Sequence, residues 1–246
     1  MTDTSADSSP EEHDDDEPHF LADPDVAGAF ERMLDEFSRE TDRGSILIAA
    51  DTVSAHLERI ILALAPETFT AKRVKGLLNY PGPLSTFAAR ADIAFMAGFI
   101  GENAHRSIDL LRGLRNKAAH SQGAFSLADH RKILRGICDL GPGTAAGVNR
   151  FAVELILRSV VDRLLGRGVE LEAEIGSNPF ASPSDIIDEL SARPEHMKLL
   201  EDRLPRMELA FGIWILLGLI THQKKAMVAK RLGTAAKDDL SSGETS

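Results

Sequence analysis

Only one cysteine, Cys138, stands among the 246 residues. An intrachain disulfide is therefore excluded, and so is a zinc cluster built on cysteine ligands. With no signal peptide at its start, the chain is expected in a reducing cytoplasm. Aromatic residues are scarce at 5%, with one Trp and one Tyr. Ala, Leu, Ile and Arg are frequent instead, a balance that suits helices more than sheets. Period-two alternation of apolar and polar residues is missing, so no strand is expected. No fixed-length repeat is evident. The most apolar segment, "LAFGIWILLGLI" at 209–220, is too short for a bilayer span, which needs about 20 residues. It is expected to be a buried core helix or a dimer interface, and no transmembrane segment is expected.

Positive charge is missing from the N-terminal end. Residues 1–25 hold ten Asp and Glu and no Lys or Arg. Taking those ten from the 38 acids leaves 28, equal to the 28 Lys and Arg. The net charge of −10 thus belongs to the tail, and the body is neutral. Nucleic-acid affinity is largely a phosphate term supplied by Lys and Arg, so composition gives it no global support. Residues 1–22 read as a disordered acidic tail, because they combine low apolar content with like charges.

What is present is helical pattern. Asp23-Pro24 is a helix start, with a cap and a Pro at the first position. Val26, Phe30, Met33, Leu34 and Phe37 then form one stripe. Thr41 heads a second helix that stops before Pro66. A third covers about 69–79, and "NYPGPLS" is a turn because Pro81, Gly82 and Pro83 do not fit a helix. Helices follow from Ser85 to about Met96, from about Asn103 to Ala119, and from Ser126 to about Leu140. Gly141-Pro142-Gly143 marks the expected internal boundary. Beyond it come a strong helix at about 147–168, two shorter ones broken at Pro194, and a last one from about Arg206. The expectation is an all-α chain: a bundle at 23–141, a helical extension at 144–235 and a disordered tail at 236–246.

The stretch "LLRGLRNKAAHSQGAF", residues 110–125, carries the sharpest candidate site. It contains Arg115, Asn116 and His120. A His can take the 2′-hydroxyl proton of RNA, and an Arg can stabilise the charged phosphorane, so no metal is needed. Asn116 would orient His120. If the helix ends near Ala119, His120 is free to swing towards Arg115. The competing reading is structural: Arg115 pairs with an acid on the preceding helix, Asn116 caps a chain end and His120 closes the helix.

Elsewhere the candidates are weaker. Arg90 is expected to hold an acid such as Glu102 or Asp109. His56 reads as a surface or packed histidine, and His105, His130, His196 and His222 lack metal spacing. "GPGTAAG" lacks the Lys-Ser/Thr of a phosphate loop and follows a helix. Cys138 reads as packing. No cofactor and no metal are expected.

The Arg-polar-x-x-x-His pattern at the end of a helix resembles the signature of the HEPN superfamily, which includes RNases that act as two-fold dimers. A longer resemblance is to the mannitol operon repressor family, the MtlR-like proteins. Its three blocks match Arg43-Gly44, then Gly82-Pro83-Leu84 with Phe87 and Arg90, then Leu114-Arg115-Asn116-Lys117-Ala118-Ala119-His120. The match covers about residues 28–140. It implies an all-helical, HEPN-like bundle without a standard helix-turn-helix, linked to transcriptional regulation. The leading expectation is an MtlR-like, repressor-type regulator acting through protein contacts as a homodimer, with DNA touched weakly or through a partner. The alternative is a HEPN-type, metal-independent endoribonuclease acting on RNA as a toxin or defence effector through Arg115, Asn116 and His120. A third is a membrane-peripheral or small-molecule sensor using the C-terminal apolar helix.

Overall fold

A computed structural model of the chain describes residues 19–242, without 64, 67 and 179. Nine α-helices and no strand occur among the described residues, so the chain is all-α. They are α1 (Pro24–Arg39), α2 (Asp42–Ala63), α3 (Ala71–Leu78), α4 (Phe87–Met96), α5 (Glu102–His120), α6 (Arg131–Ile137), α7 (Thr144–Ile175), α8 (Pro183–Ala192) and α9 (Pro194–Ser242).

Local chemistry explains most of the starts. The Asp23 side chain accepts from the backbone N–H groups of Asp25 and Val26, with Pro24 beside it. Thr70 and Thr86 cap α3 and α4 in the same manner. Ser182 and Asp185 form a reciprocal capping box at α8. Gly143 and Gly176 flank α7 at φ 78° and 76°, a region that L side chains rarely adopt. A turn at 141–143 separates α6 from α7.

The core does not stop at that turn. Leu209, Ala210, Ile213, Leu216, Leu217 and Ile220 of α9 are fully buried in one cluster with Ile46, Val53, Ile108, Leu111 and Leu114 of α2 and α5. Each buried Leu or Ile side chain contributes roughly 1.5–3 kcal/mol. The bundle and the expected extension thus share one core through α9. Residues 209–220 are the central strut of that core, and 56% of the apolar window in Pro194–Met227 is buried. By length and composition alone that segment would be long enough to cross a membrane.

Three expectations change. The break expected before Arg206 is absent, and α9 runs through Pro205. An interior proline costs about 3 kcal/mol, and burial of Pro205 itself and of the stripe from Leu209 onward offsets it. Residues 20–22, placed by composition in the acidic tail, form a 3-10 turn. Phe20 and Leu21 lie where a Cβ at Gly218 would clash, so Gly218 admits them against α9. The backbone of α9 is helical to Ser242, past the expected fraying at 236; residues 1–18 and 243–246 lie outside the described residues.

Candidate functional site

Burial on α5 falls at Ala104, Ser107, Ile108, Leu111, Leu114 and Ala118, the three-and-four spacing of one helix face. Ser107 reinforces it by donating its Oγ–H to the Ile137 carbonyl at 2.6 Å. The residues between those positions must turn outward. Arg115 is half-buried, while Asn116 and His120 are exposed. Among the described residues no hydrogen bond or ion pair involves the side chain of any of the three.

The helix ends one residue later than expected. His120 is its last residue, and the Ser121 N–H closes it on the Lys117 carbonyl. His120 therefore keeps a helical direction. At about 100° per residue, Asn116 and His120 share a side, and Arg115 lies about 140° from His120. The expected swing of His120 towards Arg115 does not occur. Among the described residues Arg115 has no acid partner and Asn116 makes no capping hydrogen bond. Lys117 and His120 sit in the last turn, where positive charge complements the helix dipole.

The other motif residues bond inward. Arg43 donates through Nη2 to the Ser121 carbonyl at 3.0 Å, the Ser121 Oγ at 2.7 Å and the Gly123 carbonyl at 2.5 Å. It thereby ties the loop after α5 to the start of α2. Asp42 beside it accepts from the Leu127 N–H at 2.8 Å and pairs with Arg206 Nε at 3.2 Å. At Gly44 a Cβ would run into the Glu40 side chain.

Arg90 organises the second block. Its guanidinium donates to the Leu84 carbonyl at 2.9 Å, the Ser54 Oγ at 3.0 Å and the Leu78 carbonyl at 3.3 Å. Its acid is Glu58, at 2.9 Å, in place of Glu102 or Asp109. Asp109 is engaged by Arg112 on its own helix. Within the turn, Gly82 lies so near the carbonyls of Gly76, Leu77 and Asn79 that any Cβ would clash. Pro83 is exposed at its tip, and the Leu84 N–H returns to the Leu77 carbonyl at 2.9 Å.

Two buried titratable groups lie outside the motif. His56 hydrogen-bonds Thr221 Oγ1 at 2.7 Å, joining α2 to α9. Burial, with Arg59 and Lys224 nearby, pushes its pKa down to about 4. Burial, aided by Glu208, pushes the Cys138 thiol up to about 12, which suits packing and not nucleophilic work. No group of three His, Cys, Asp or Glu with metal-holding geometry occurs among the described residues. Sequence reading missed Asp42, Ser121 and Arg206; only the adjacency of Asp42 to Arg43 hinted at that clamp.

One helix face thus presents Asn116 and His120 to solvent, with Lys117 beside them and half-buried Arg115 turned away. Among the described residues this set has no shared acceptor and no convergent base and cation. Comparison with known proteins adds one likeness. The chain is similar to a chain of a solved structure described as the X-ray structure of the MtlR-HPr complex from Escherichia coli, with a TM-score of 0.49 and 18% identity, over 78% of this chain and 98% of that one. No family model and no curated protein matches the sequence.

Proposed function

We propose that the chain is an MtlR-like, repressor-type regulator that works through protein contacts, with DNA reached through a partner. The observation that carries this reading is the division within the motif. Arg43 and Arg90 hold the scaffold by bonds to backbone carbonyls. Arg115, Asn116 and His120 are left outward on α5, spread around the helix. A spread of exposed polar groups on a rigid helix suits recognition more than acid–base chemistry, which needs base and cation at one reacting phosphate. A homodimer in the cytoplasm is part of this reading.

The RNase reading is the second. It is favoured by the same exposure, since Arg115 and His120 remain available to a two-fold-related copy. In that HEPN-type arrangement His120 is the base and Arg115 from either copy steadies the phosphorane.

The test uses a photo-crosslinking amino acid at Lys117 of the full chain in cells, with a control at exposed Asp51. The regulator reading expects a discrete protein adduct at Lys117, lost in the Arg115→Ala/His120→Ala background. RNA cleavage by the purified chain in EDTA, abolished by His120→Ala with the fold intact, overturns it in favour of the RNase.

A further inference from the structure

Some of the exposed large apolar side chains lie on α7, α8 and the start of α9. Phe151, Leu155, Val169, Ile175, Ile187 and Leu199 are each at least 37% exposed. Two cavities open there. One, of about 700 Å³, lies between α7, α8 and α9 and is walled by Leu164, Leu190 and Leu199. The other, of about 530 Å³, lies between α1, α7 and α9 and is walled by Phe37, Leu155 and Met207. Both are lined by the same two cations, Arg163 and Arg203.

The charges around this trough are unequal in what they already hold. Asp185 accepts from the Ser182 N–H and Oγ in its capping box. Glu189 is paired with Arg193 at 2.7 Å. Arg206, at the far end, is paired with Asp42. Arg163 and Arg203 make no hydrogen bond or ion pair among the described residues. His196 adds a third nitrogen base at the wall of the larger chamber. Two unpaired guanidinium groups between two apolar chambers call for a ligand with one anionic head and an apolar body. A carboxylate matches the guanidinium fork, and a chamber of this size is in the range that holds small ligands.

We propose that this trough binds a monomeric amphipathic carboxylate, its head between Arg163 and Arg203 and its alkyl chain in the chamber beneath α8. The site goes beyond the regulatory reading and shares no residue with the end of α5, so either can fail alone.

Calorimetric titration of the full chain with decanoate, decan-1-ol and acetate tests it. Decanoate is expected to bind one to one, with decan-1-ol and acetate about tenfold weaker or more, as loss of a charge-assisted pair implies. Arg163→Gln/Arg203→Gln is expected to weaken decanoate by about tenfold while leaving decan-1-ol unchanged. Both arginines are exposed, so the variant keeps its fold. Leu164→Trp, which fills the chamber, is expected to weaken both probes. Absence of decanoate binding, equal affinity for the double variant, or uptake only on anionic phospholipid vesicles overturns the proposal. So does a dimer in light scattering that Leu199→Asp dissociates and decanoate leaves intact, because a second copy then fills the trough.

Discussion

Arg90 and Arg115 belong to the same three-block pattern and meet opposite fates. At the turn between α3 and α4, the Arg90 guanidinium is fully engaged: two carbonyls, one hydroxyl and the Glu58 carboxylate. Around Arg115, at the end of α5, the polar side chains make no hydrogen bond or ion pair among the described residues. The first region spends its charge on backbone that would otherwise be buried without partners. The second leaves its charge for something outside the chain. A motif read from sequence therefore mixes framework and surface, and only the bonding separates them.

That contrast can be broken or sharpened by substitution. The largest effect is expected beneath the motif. Leu114 is fully buried, and Leu114→Ala is expected to cost about 2–5 kcal/mol in urea denaturation. A change near 0.5 kcal/mol or less would mean that the end of α5 is loosely seated.

Acidification comes next. His56 is buried with its pKa down at about 4, against 6.5 in the unfolded chain. The unfolded state binds the proton first as pH falls, so stability is full above about 6.5 and is lost on the way down to about 4. The loss is on the order of 3 kcal/mol, from 1.36 kcal/mol per pKa unit. Urea midpoints between pH 7 and 4 measure it. His56→Gln keeps a hydrogen-bonding side chain and is expected to flatten the slope; an unchanged slope would place the titration elsewhere.

Arg90→Ala follows, at about 1.5–3 kcal/mol, because the Leu78 and Leu84 carbonyls lose a charged donor. Arg43→Ala is expected at about 1–2 kcal/mol, with the loop at 121–127 opening to hydrogen exchange before the core does. If Arg43→Ala leaves that exchange unchanged, the clamp holds through Asp42 alone.

Much of the fold was legible because helix signals are local. Pro24, Gly143 and the three-and-four spacing of apolar residues each act within one or two turns, and the structure follows them. Pro205 misled for the same reason. Its cost is local, and the burial of Leu209 through Ile220 that offsets it is tertiary. The candidate site was legible as a pattern of residue types and not as geometry. Arg43 finds its acceptors on Ser121 and Gly123, whose carbonyls any residue would supply. Arg90 was expected to find an acid, and the choice of Glu58 depends on how α4 crosses α2. The direction of His120 turned on a single residue of helix length. Arg163 and Arg203 gave no signal, since only the packing of α7 on α9 brings them to one trough.

The smallest expected effect tests the central division most directly. Equilibrium urea denaturation of the Arg115→Ala/His120→Ala variant is compared with wild type at neutral pH. An exposed and a half-buried side chain with no hydrogen bond or ion pair among the described residues predict a stability within about 0.5 kcal/mol of wild type. A loss as large as that of Arg90→Ala would contradict the account and return the end of α5 to the framework.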